Sequence, residues 1–145
     1  MNDGSAQLAV QMLQSIAAAV QQTAFAYPNA ATPVCIGSGN VANATATATL
    51  PASSSKTTWI AGFDVTGLGA TSAAAVTVTV TNTIGGTLYY TYAVPAGATT
   101  ATTPLSIRFP YPIPANAVNT TIVVTVPAVG SGNTNTTVSA YGYQF

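Results

Sequence analysis

The chain has 145 residues, of which 48% are hydrophobic and 3% charged, with two basic and two acidic side chains, no histidine and one cysteine. Ordinary globular domains are about 25% charged, so solvation here falls to Thr, Ser, Asn, Gln and Tyr. One Lys and one Arg are too few for the phosphate contacts of nucleic-acid binding or for an anionic membrane surface. Without histidine, neither a Ser-His-Asp nor a Cys-His arrangement nor a common zinc site can be assembled.

The first element is a helix. Leu8, Met12, Ile16 and Val20 recur every four residues over positions 5–22, with Leu13 alongside and Gln7, Gln11, Gln14, Gln21 and Gln22 between them. Asp3 or Ser5 is positioned to cap its start. The run LAVQMLQSIAAAV followed by Ala24-Phe25-Ala26 has the outline of a signal peptide. However, Asp3 precedes it, no Lys or Arg does, and Gln11, Gln14 and Ser15 interrupt it. It therefore reads as a helix, not a leader, and no apolar run reaches the ~18 residues of a membrane span. Leu8, Met12, Leu13, Ile16 and Val20 form a stripe that packs on the chain's own β-domain, docks on a partner or bundles with copies of itself. Residues 24–34 read as an irregular linker bracketed by Pro28 and Pro33, which divides the chain into 1–34 (helix and linker) and 35–145 (β-domain). A lone Cys35 excludes a disulfide within the chain, and it is expected to be a small buried hydrophobe or a bystander.

From Cys35 onward the pattern is that of strands. They are expected near 41–50, 57–65, 75–82, 87–94, 104–109, 119–126 and 135–145. In the second, Trp59, Ala61, Phe63 and Val65 share a face and are expected to point at the core. In the hairpin AAAVTVTVTNTIGGTLYYTYAVPAG, Val76, Val78 and Val80 lie on one face with Leu88, Tyr90, Tyr92 and Val94, and no charge occurs in it. The run PYPIP (110–114) reads as a rigid loop that blocks strand pairing. Strands at this spacing, with no helical period between them, predict an all-β fold. The architecture is an antiparallel β-sandwich, jelly roll or Greek key, preceded by one N-terminal helix.

Chemistry is scarce. Catalysis by paired carboxylates would require Asp3 and Asp64 to meet, yet one lies at a helix start and the other in a strand. The expectation is a non-enzymatic chain with no cofactor and no metal. Asp64 and Arg108 fall in apolar strands, where an unpaired charge is costly, and are expected to form a structural ion pair, with Lys56 as the alternative partner of Asp64. A formal charge of zero removes colloidal repulsion and favours association. The strands AVTVTVTN and NTTIVVTV have high β propensity and no charge or Pro, so as free edges they would invite aggregation unless an assembly covered them.

The phrases TTWIAGFDVTGLGAT, TVTVTNTIGGTLYYTYAVPAG and PLSIRFPYPIPANAVNTTIVVTVPAVGSGNTNTTVSAYGY, from Thr57 to the C-terminus, resemble small structural proteins encoded in tailed-phage and prophage virion gene clusters. The resemblance implies a capsid decoration or cement protein, or a short head or tail fibre. Such a protein would be made in the bacterial host cytoplasm and placed on the virion capsid surface. Its partners would be the major capsid protein or another virion protein, and further copies of itself in a dimer or trimer. The alternative is a fibre module with a carbohydrate-binding or adhesive role, in which Tyr89, Tyr111, Tyr141 and Tyr143 serve as stacking platforms for sugars. A plain soluble domain is the weakest reading, because such domains are rich in charge.

Overall fold

A computed structural model describes the backbone of residues 4–22 and 27–145, and the side chains of 4–16 and 27–145. It divides into two compact units, Met1–Ala31 and Thr32–Phe145.

In the first unit, helix α1 spans Gly4–Gln22. Ser5 falls inside its first turn, and Asp3, the other expected cap, lies outside the described residues, as do Ala24, Phe25 and Ala26. Within the helix, Ser15 Oγ donates to the Gln11 carbonyl at 3.0 Å, the back-bond by which serine is accommodated in a helical turn. A turn follows Pro28, closed by Ala31 N–H donating to the Pro28 carbonyl at 3.1 Å.

The second unit holds nine strands: β1 (Thr32–Gly37), β2 (Ala46–Leu50), β3 (Thr58–Leu68), β4 (Ser72–Thr83), β5 (Gly86–Val94), β6 (Leu105–Pro114), β7 (Ile122–Val126), β8 (Gly130–Ser131) and β9 (Asn135–Gln144). One sheet has the order β1-β9-β3-β6, the other β2-β7-β4-β5, and β8 pairs with the start of β4. Every pairing is antiparallel, and β4·β5, β3·β6, β2·β7 and β1·β9 are nested one inside the next. A long antiparallel ribbon rolled up in this way is a jelly roll, which resolves the two sandwich topologies left open by the sequence.

Alternation places the core. In β2 the pattern is strictly in-out, burying Ala46, Ala48 and Leu50, and in β7 Ile122, Val124 and Val126 do the same. The hairpin keeps its expected faces: Val78, Val80, Tyr92 and Val94 are buried, while Thr77, Tyr89, Thr91 and Ala93 are exposed. Each fully buried Val, Leu, Ile or Phe contributes about 1.5–3 kcal/mol relative to exposure. Two buried polar side chains are tied to one backbone group: the Pro51 carbonyl accepts from both Thr58 Oγ1 (2.8 Å) and Gln144 Nε2 (2.7 Å), fastening the end of β2 to β3 and β9.

Five expectations are corrected. Residues 32–34, assigned to a linker, begin β1, because β9 offers a free edge on which even Pro33 can lie. Cys35 is exposed on that edge strand, which removes the buried alternative and leaves the bystander. Trp59 and Ala61 do not join the core face. The register with both neighbours slips between Ile60 and Gly62, and this bulge resets the phase, so that Ile60, Phe63 and Val65 are buried and Trp59 is turned outward. PYPIP is not a loop but the second half of β6. That strand is an edge, where missing N–H groups harm nothing, and the pairing jumps from Gly62↔Arg108 to Ile60↔Ile113, so residues 109–112 drop out of the ladder. Lastly, AVTVTVTN and NTTIVVTV are not free edges: β4 and β7 lie inside the second sheet, covered by β5 and β2.

Candidate functional site

The outer face of the β1-β9-β3-β6 sheet carries the one charge pair found among the described residues. Asp64 projects from β3 between Ser106 of β6 and Ser139 of β9 in register. Arg108 Nη1 and Nη2 donate to Asp64 Oδ1 and Oδ2 at 3.1 and 3.2 Å, a two-pronged pair. Ser106 Oγ donates to Oδ1 at 2.5 Å and the Tyr141 hydroxyl donates to Oδ2. Four donors thus occupy the carboxylate's accepting positions. The Arg108 guanidinium also lies 4.7 Å over the Tyr141 ring, within cation–π range. Lys56, the alternative partner, instead donates to Thr32 Oγ1 at 3.1 Å.

Gly62 makes this arrangement possible. It pairs with Arg108 on one side and Tyr141 on the other. A Cβ there would stand 3.1 Å from Arg108 Cδ, 3.2 Å from Tyr141 Cε2 and 2.5 Å from the Ile107 carbonyl oxygen. Only a bare backbone lets the arginine cross to the tyrosine. Neither Gly62 nor Ser106 and Tyr141 was singled out for this cluster from sequence; an isolated glycine within a strand was the available signal.

Partial burial pushes the Asp64 carboxyl up, but hydrogen bonds from Arg108 and Ser106 and the arginine's charge outweigh it and hold the group below its ordinary 3.8. A saturated, ionised carboxylate is a poor proton acceptor, so the cluster's chemistry is that of a clasp joining β3, β6 and β9.

At the end of the same sheet lies a pocket of about 480 Å³ lined by Asn40, Thr66, Leu68, Ala101, Pro104 and Asn135, among others. Its polar atoms bond to one another: Thr66 Oγ1 with Thr137 Oγ1 at 2.5 Å, and Asn135 Nδ2 with Asn40 Oδ1 at 3.1 Å. Among the described residues no group of three or more His, Cys, Asp or Glu is placed to hold a metal ion, and no helix is long and apolar enough to cross a membrane.

Of the residues expected to bind a partner, Leu8, Met12, Leu13 and Ile16 are each more than half exposed, as is Val10; the side chain of Val20 lies outside the described set. Leu8, Met12 and Ile16 fall at successive i, i+4 positions and so share one face of α1. The four tyrosines considered as sugar platforms divide. Tyr89 (68% exposed) and Tyr111 (88%) stand free on the surface. Tyr143 is buried and stacked on Trp59 at 5.8 Å, and Tyr141 is taken up by Arg108 and Asp64, so these two are withdrawn from that role.

No family model, curated protein or solved structure matches the chain. The likeness to virion proteins therefore rests on the quoted phrases alone.

Proposed function

We propose that the chain is a non-enzymatic structural subunit of a tailed-phage virion, one that decorates or cements the capsid by bridging neighbouring capsid subunits. The observation that carries this reading is the pairing of an almost charge-free jelly roll with a helix whose Leu8, Met12, Leu13 and Ile16 stripe is solvent-exposed. An apolar stripe of this kind is stable in water only marginally by itself, and it is suited to burial against another virion protein, the major capsid protein above all. Further support comes from the carboxylate clasp, whose groups are all engaged in holding strands.

The test is co-sedimentation of the full chain with capsids of the cognate phage. Wild-type protein is expected in the pellet. Met12→Glu/Ile16→Glu, which keeps good helix formers in α1, is expected to remain in the supernatant with its β-sheet circular dichroism unchanged. Wild type that fails to pellet would overturn the reading, and a pelleting double variant would overturn the helix as anchor.

Tyr89 and Tyr111 favour a second reading, a fibre module that stacks sugars on exposed rings. A glycan array on which wild type binds and Tyr111→Ala or Tyr89→Ala does not would establish it; a blank array would dismiss it.

A further inference from the structure

Apart from the two-residue β8, the sandwich has four edge strands, and three are protected. β6 carries Pro110, Pro112 and Pro114 and breaks its ladder at 109–112. β1 has six residues and contains Pro33, while β2 has only five. These are familiar ways of blunting an edge. β5 has none of them: GTLYYTYAV is nine residues long, with no proline, no charge and a ladder to β4 that runs unbroken from Leu88 to Val94. Among the described residues, no backbone hydrogen bond of β5 to any strand but β4 is found.

A second observation falls on the same side of the molecule. Core-facing residues of β2, β7 and β9 are fully buried. Along the β5/β6 side burial is incomplete: Tyr92 and Val94 are buried, but Leu88, Tyr90, Leu105, Ile107, Phe109 and Ile113 pack against the core and stay partly exposed. The sandwich is thus less completely closed on this side, where half-buried apolar side chains lie between an unprotected edge and a proline-blunted one.

We infer that β5 is a dimerisation edge, pairing antiparallel with β5 of a second copy across a two-fold axis, so that each copy covers the other's less closed side. An unpaired row of N–H and C=O groups calls for another strand. A second copy fits because the strand is neutral and self-complementary. Any register that keeps core faces together sets Tyr, Thr, Leu, Val and Ala opposite one another, and nowhere opposes like charges, which would be destabilising. A partner recognised by charge would find nothing on this strand to recognise. The inference stands on the edge itself and requires no capsid; it supplies the contact between copies that the virion reading implies, and a dimer commits where that reading left dimer and trimer open.

The experiment is the mass of the purified full chain by sedimentation velocity in reductant, without capsids, so that its failure is separate from failure to bind a particle. Wild type is expected at twice 14.4 kDa. Tyr89→Lys/Thr91→Lys places lysines on the exposed face of the edge and is expected at the monomer mass, with dissociation at least tenfold easier and circular dichroism unchanged. A wild-type monomer up to millimolar concentration, a trimer, or a variant that still dimerises would each overturn the proposal. Should the variant fail to fold, hydrogen exchange on wild type decides. Amides of Thr87–Ala93 that do not bond β4 are expected to exchange more slowly as concentration rises, and exchange independent of concentration would overturn it.

Discussion

Asp64 shows how far a single residue could be read without coordinates. Only four charges exist in the chain, so the pairing of Asp64 with Arg108 was open to elimination. Ser106 and Tyr141 were not, because they reach the carboxylate only through a register that sequence does not state. Arg108 is 57% exposed and Asp64 33%, so water screens the pair and its coupling is small. A double-mutant cycle with Asp64→Asn and Arg108→Gln is expected to be non-additive by about 0.5–1 kcal/mol in urea unfolding; strictly additive losses would show that the clasp does not act as a unit. Its pH dependence has a defined sign. The folded carboxyl titrates below 3.8, so its contribution is fully present above that value and is lost as pH falls through the lower, folded value. At the other end of the scale, burial raises the Tyr90, Tyr92 and Tyr143 hydroxyls above 10.0. The unfolded chain then releases those protons first, and stability is expected to decline as pH climbs past about 10. Melting temperatures across an acid and an alkaline series would check both limbs.

At the scale of elements, strand alternation in β2, β5 and β7, and in β4 as far as Val80 and β9 as far as Ala140, was plain in the sequence, because each keeps one phase over that length. β3 was not, since its bulge at Ala61 changes the phase and sends Trp59 to the wrong side of any two-residue count. β1 and β6 were obscured by proline, which argues against a central strand but is silent about an edge. The bulge rests on two glycines. A Cβ on Gly142 would run into the Trp59 carbonyl, and one on Gly62 into that of Ile107. Replacing either by alanine is expected to lower stability by about 3 kcal/mol, measured by denaturant midpoint. Gly85→Ala, where a Cβ meets nothing within 4 Å, is the control and is expected to change stability by less than about 0.5 kcal/mol.

For the molecule as a whole, hydrophobic burial and backbone pairing carry what charge carries elsewhere. Phe63 lies at the centre of this, meeting Tyr90 edge-on at 5.3 Å and Phe109 at 6.4 Å and so tying the two sheets together on their less closed side. Phe63→Ala is expected to remove about 3–5 kcal/mol of stability. With so few charges to screen, both melting temperature and self-association are expected to stay flat in sodium chloride from low to molar concentration, while sulfate strengthens them by its exclusion from apolar surface. A steep fall in association with sodium chloride would contradict a neutral interface. The exposed Cys35 has a practical consequence here. It is the chain's one thiol and it sits on β1, across the sandwich from β5. A maleimide dye there labels each subunit once and leaves the β5 edge clear. Stepwise photobleaching of single particles would then count subunits directly, turning a stray cysteine into a gauge of stoichiometry.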